Sequence, residues 1–168
     1  MGNLCRRITG IKGLFILLAL TLFLIGCGAG RTMVLAPPVI TAKFTSAEIY
    51  EDKATVDVPA DVSASFQEKF SQLLYGEAGF VRGPDLKIRY RFIQFNPGSQ
   101  FSRWFWGGIG SAGKGTMTVE ARFLDKNDNE LAKIQSEGEI TSGVFGGSLQ
   151  LAIEKAAKEV AEYAKKFL

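Results

Sequence analysis

The stretch Met117-Thr118-Val119-Glu120-Ala121-Arg122-Phe123, followed after a polar break by Ala132-Lys133-Ile134-Gln135-Ser136-Glu137-Gly138-Glu139-Ile140, decides how this chain folds. Met117, Val119, Ala121 and Phe123 alternate with polar residues, and Ala132, Ile134, Ser136 and Gly138 do the same. Period two is the mark of a strand with one buried face. The break between them, Lys126-Asn127-Asp128-Asn129, has turn composition. Pairing Asp125 with Glu130 sets Phe123 opposite Ala132, Ala121 opposite Ile134 and Val119 opposite Ser136. One register thus keeps the less polar side chains together on both strands, and a hairpin is expected.

Working back, Leu86, Ile88, Tyr90 and Phe92 alternate with Lys87, Arg89 and Arg91 in a strand expected to run to about Phe95, where Asn96-Pro97-Gly98-Ser99 stops it. Val62, Phe66, Phe70, Leu73 and Leu74 recur at helical spacing, so a helix is expected over Asp61 to Tyr75 with Asp61 as its cap and Gly76 and Gly79 beyond it. A first strand is expected around Lys43 to Tyr50. At the other end, Ser148 precedes a stripe of Leu149, Ile153, Ala156, Val160, Tyr163 and Phe167, with Glu154, Lys158, Glu162 and Lys166 opposite. The order strand, helix, three strands, helix gives an α+β fold: a single domain over residues 43–168, with about four strands in an antiparallel or mixed sheet and both helices on one face.

The N-terminus is of a different kind. Arg6, Arg7 and Lys12 precede an apolar run from Leu14 to Ile25, the arrangement of a signal peptide. A permanent spanning helix needs about 20 apolar residues, and extending this run meets Gly26, Cys27, Gly28, Gly30 and then Arg31. Leu24-Ile25-Gly26-Cys27 resembles the bacterial lipobox. The resemblance implies cleavage after Gly26, lipid on the Cys27 sulfur and a signal peptide over residues 1–26. Gly28 stands where an Asp resembles an inner-membrane retention signal, so delivery to the outer membrane, facing the periplasm, is expected. Residues 27–42, with Pro37-Pro38, are expected to form the lipidated N-terminus and a flexible tether. Met1-Gly2 followed by Cys5 looks like a myristoylation start, but Arg6 stands where Ser or Thr is needed.

Charge and thiols narrow the function. The 168 residues carry 20 basic and 17 acidic groups, and setting aside Arg6, Arg7 and Lys12 leaves 17 basic groups against the same 17 acids. A mature chain so balanced is not a broad nucleic-acid binder. The two cysteines, Cys5 and Cys27, both lie in the N-terminal segment, and there is no histidine. The domain therefore has no disulfide framework, no thiolate or imidazole metal site and no His-dependent triad. No cofactor is expected.

Gly107 to Thr116 imitates two nucleotide motifs, with Gly108, Gly110 and Gly113 spaced as a dinucleotide fingerprint and Gly108 to Lys114 as most of a P-loop. Both need the loop to open a helix, whereas this one opens a strand, and Gly115 stands where a magnesium-binding Ser or Thr is required. No nucleotide is expected. Phe101, Arg103, Trp104, Phe105 and Trp106 precede those glycines. Such rings either cap the open end of the sheet or form a contact surface for protein or lipid; they are the candidate contact residues. The row Lys87, Arg89, Arg91 reads as part of a solvated sheet face balanced by Glu120, Glu137 and Glu139.

The segment from Arg103-Trp104 through Gly113-Lys114-Gly115 into the strand Thr116 to Asp125, with Gly146-Gly147 before an Ala-rich helix, resembles the bacterial lipoprotein family catalogued as domain of unknown function 4410. The resemblance implies no catalytic residue. Together these readings lead to a lipid-anchored envelope protein, non-enzymatic, that binds or assembles with another envelope protein or with itself. The alternative is a hydrolase using carboxylates such as Glu120 and Glu137 on a cell-wall or polysaccharide substrate.

Overall fold

The computed structural model describes residues 30–38, 43–96, 115–140 and 149–168. In chain order the elements are β1 (Gly30–Ala36), β2 (Ser46–Glu51), α1 (Ala60–Gln72) continuing into a π turn (Leu73–Glu77), β3 (Val81–Arg82), β4 (Leu86–Asn96), β5 (Gly115–Asp125), β6 (Glu130–Ile140) and α2 (Leu149–Phe167). They build an α+β domain around a mixed sheet of order β1-β6-β5-β4-β2-β3.

The expected hairpin is present. Phe123 pairs with Ala132, Ala121 with Ile134 and Val119 with Ser136, as the alternation requires. Near the turn the register shifts, so that Leu124 rather than Asp125 meets Glu130. The extra residue is Leu131, which is buried, and a bulge lets it point into the core instead of solvent. Asp125 organises the turn: its Oδ1 accepts from the backbone of Asn127 and Asn129 at 2.8 and 2.9 Å, and Asp128 takes a left-handed φ of 66°.

Among the described residues six strands, not about four, make the sheet. One addition is β1, which pairs antiparallel with β6 from Gly30↔Gly138 to Val34↔Ile134 and lies inside the stretch expected to be a flexible tether. The prolines that suggested a tether follow this strand, and Thr32, Met33 and Val34 are good strand formers. The other addition is β3, two residues too short to leave a periodic signal, parallel to β2. The first strand of the expected order is β2, shifted to Ser46–Glu51 and parallel to β4.

The helix α1 also departs from expectation at both ends. Pro59, not Asp61, is its cap, the Pro59 carbonyl accepting from Val62 and Ser63, while Asp61 sits in the first turn beside the positive end of the dipole. Beyond Gln72 the backbone widens into the π turn, which places Leu73 and Leu74 in the core and lets the Tyr75 hydroxyl donate to the Ala47 carbonyl at 3.1 Å. Ser148, the expected cap of α2, lies outside the described residues.

Both helices cover one face of the sheet. Phe66 and Phe70 from α1 meet Tyr90 and Phe92 from β4, with ring centroids 4.9 to 6.0 Å apart, and Tyr163 from α2 stacks on Phe123 at 5.3 Å. The α2 stripe is wider than its large residues suggest, since Ala152, Ala157, Ala161 and Ala164 are buried too. These small residues bring helix and sheet close. Ser136 Oγ donates to the Ala156 carbonyl at 3.1 Å, and a Cβ built on Gly138 would collide with the backbone carbonyl of Ala152. Gly138→Ala should therefore destabilise the domain by about 3 kcal/mol, since the clash is with backbone rather than a movable side chain. Urea unfolding measures it, with an unchanged midpoint counting against the seam.

Candidate interaction surface

The face of the sheet away from the helices is built by the alternate residues of the same strands. From β4 it receives Lys87, Arg89 and Arg91, from β5 Thr118, Glu120 and Arg122, and from β6 Lys133 and Gln135. The expected charge balance takes a definite form. Glu120, whose side chain is only 6% exposed, accepts from Arg91 at 2.7 Å and contacts Lys133 at 3.1 Å. Arg122 pairs with Glu130 at 2.8 Å, Arg89 with Asp52 at 2.6 Å and Lys87 with Asp128 at 2.7 Å. A shallow depression of about 240 Å³ lies among Asp52, Arg89, Arg122 and Glu130.

Burial of Glu120 works to raise its pKa, but the hydrogen bonds and charges of Lys133 and Arg91 outweigh it and hold the carboxyl below its ordinary value of 4.5. Such a group stays ionised and engaged at neutral pH. It has no proton to give as a general acid, and both of its oxygens are occupied.

Sequence reasoning missed the two edges of the sheet. Met33, Val34 and Leu35 on β1 are exposed, as are Tyr50 on β2 and Val81 on β3. On β1 the signal was the apolar run Met33-Val34-Leu35-Ala36 before Pro37, with no polar alternation. A further cleft, of about 330 Å³, opens where Phe44 donates its N–H to the Leu168 carbonyl at 2.7 Å, between Phe80 and Phe167 and rimmed by Lys43, Lys165 and Lys166. The expected contact residues Phe101, Arg103, Trp104, Phe105 and Trp106, together with Gly26, Cys27, Gly146, Gly147 and residues 107–114 of the glycine-rich loop, lie outside the described residues. Among the described residues no helix is long and apolar enough to cross a membrane.

Residues 76–144 match the family model described as Domain of unknown function (DUF4410). The resemblance carried by Arg103-Trp104, the glycines and strand β5 is thus the one found. The DUF4410 match begins in the π turn, spans β3 to β6 and leaves out β1, β2, α1 and α2. No curated protein matches the chain.

Among solved structures, a point variant of the PelC dodecamer from Paraburkholderia phytofirmans aligns with a TM-score of 0.53 and 14% identity, over 79% of this chain and 95% of that one. A second structure of that PelC dodecamer gives 0.52 and 14%, over 79% and 96%. A minor lipoprotein from Acinetobacter baumannii aligns at 0.44 and 9%, over 72% and 93%. The PelC likeness establishes a shared fold.

The Glu120 cluster makes a checkable statement about stability. Its folded pKa is depressed, so its contribution is present above about pH 4.5 and is lost as pH falls through the folded value. Glu120→Gln should cost about 1.5 kcal/mol at pH 7, the low end for a charged hydrogen-bonded group because its cations can rehydrate. Thermal melts of the two proteins should draw together as pH falls below about 4.5 and the carboxyl takes up its proton. A difference that does not shrink anywhere on acidification would assign the loss to packing.

Proposed function

We propose that this chain is a cell-envelope lipoprotein, cleaved after Gly26 and lipidated at Cys27, whose domain works by assembling with copies of itself or with another envelope protein rather than by catalysis. The anchor rests on the sequence, where a basic segment, an apolar run of signal length and Gly26-Cys27 follow in the order that export and lipidation require. Gly28 after the cysteine favours the outer membrane and a domain facing the periplasm.

The assembly half rests on one observation. The fold aligns over nearly the whole of a protein solved as a dodecamer, and a two-layer α+β domain with open sheet edges is a unit suited to such packing. Catalysis is disfavoured by chemistry, since Glu120, the deepest carboxylate of the open face, is held ionised between two cations. The aromatic row Phe101, Arg103, Trp104, Phe105 and Trp106 adds a surface whose rings suit a protein or membrane contact.

The mature protein taken from membranes should carry a diacylglyceryl thioether on Cys27 as its first residue, and Cys27→Ala should accumulate as precursor. Mass spectrometry of the N-terminal peptide decides, and exported protein with a free Cys27 thiol refutes the anchor. Replacing Trp104 and Trp106 together by alanine should abolish partner cross-linking while circular dichroism is unchanged. Undiminished cross-linking removes those tryptophans from the contact.

A further inference from the structure

Seven large apolar side chains are exposed among the described residues, and five of them stand on the two outer edges of the sheet. Met33, Val34 and Leu35 lie on β1; Tyr50 and Val81 lie on β2 and β3. All five are between 42 and 62% exposed. Natural sheets blunt their edges with charge, proline or a covering element, because a bare edge is a template for another strand. Here β1 offers one charged residue, Arg31, along seven positions, and β3 covers β2 only at Ser46 and Ala47. Past Ala47 the outer side of β2 has no strand neighbour among the described residues.

The apolar residues of β1 point both ways. Val34 is paired with Ile134 and belongs to the helix side, whereas Met33 is paired with Gln135 and belongs to the open face. A lipid surface meets one side of a strand. A strand added to the edge buries both.

The two edges also differ from each other in ways that match. β1 carries Arg31 and no acid, whereas the other edge carries Glu48 and Glu51 on β2 beside one base on β3, Arg82, which lies over the Tyr75 ring at 4.4 Å. Direction agrees as well. β1 is antiparallel to β6, β6 to β5 and β5 to β4, and β4 is parallel to β2, so β1 runs opposite to β2 within the chain. A second copy rotated about an axis along the strands presents its β2 antiparallel to this copy's β1, with the helix layers on the same side. Tyr50 and Met33 then share the open face, since Tyr50 is paired with Arg89. Distinct, complementary edges give a head-to-tail contact, and a head-to-tail contact that closes gives a ring.

We infer that the partner of the β1 edge is the β2–β3 edge of a second copy of this chain, joined antiparallel so that one sheet continues into the next around a closed ring. This deepens the self-assembly reading and rests on it.

The test uses the lipidated full-length protein in mild detergent, in which processing removes Cys5 and lipid blocks the Cys27 thiol. Native mass spectrometry should find one defined oligomer. With Met33→Cys and Tyr50→Cys on the same chain, oxidation should give a covalent ladder up to the full ring, while either cysteine alone should give monomers. Val34→Lys should weaken assembly at least tenfold with an unchanged melting curve; should that variant misfold, the ladder decides. A monomeric wild type overturns both the assembly reading and this contact. An oligomer that survives Val34→Lys and forms no ladder overturns the contact and leaves assembly standing. Dimers from Met33→Cys alone overturn the head-to-tail geometry. If a lipid-soluble photolabel marks Met33 to Leu35 in the lipidated protein in vesicles and Val34→Lys spares the oligomer, the edge is a lipid contact and the proposal fails.

Discussion

Where Gly138 on β6 faces Ala152 on α2, helix and sheet approach to backbone contact, and that spacing governs the layers around it. A normal separation of about 10 Å between layers leaves room for large side chains. Here alanines along α2, with Ser136 bonded directly to the Ala156 carbonyl, draw the helix down on β5 and β6. The other half of the same face is packed in the opposite manner, with Phe66, Phe70, Tyr90 and Phe92 filling the space under α1. Small residues at one end and rings at the other let a twisted sheet accept two helices without a void.

This division explains which parts of the fold were legible. Strands β4, β5 and β6 are long and one-sided, so their alternation announced them, and the pairing of Phe123, Ala121 and Val119 followed from keeping apolar side chains together. The bulge at Leu131 was not legible, because what decides it is the gain from burying one leucine after the chain has already turned. Pro37 and Pro38 drew attention away from β1, whose reward is pairing with β6 rather than any alternation of its own. Asp61 looked like a cap by composition, yet Pro59, fixed by its ring in an extended conformation before α1, leaves the backbone carbonyl in the capping place.

Of the candidate surface, the charged face was readable and the edges were not. Rows of Lys and Arg opposite rows of Glu imply neutralisation wherever strands lie 5 Å apart, and the register sets Arg91 directly across from Glu120. Edges are a property of topology. Nothing in the local sequence of Ser46 to Glu51 says that β3 will cover only its first two residues.

The same contrast bears on where this domain spends its binding capacity. The open face looks inviting because it is broad and charged, but its ions are already satisfied, and a partner there would have to match or displace bonds such as Arg91 to Glu120 before gaining anything. The edges stand in the other condition. Past Ala47 on β2 and along β1, their outward sides have no strand neighbour among the described residues, and their large apolar side chains are about half exposed. Burying them costs little desolvation of charge and recovers hydrogen bonds as well as apolar area. A neutral, histidine-free domain whose charges pair with one another is therefore not short of chemistry for recognition. Its recognition has moved from side-chain charge on a face to main-chain geometry at the rims.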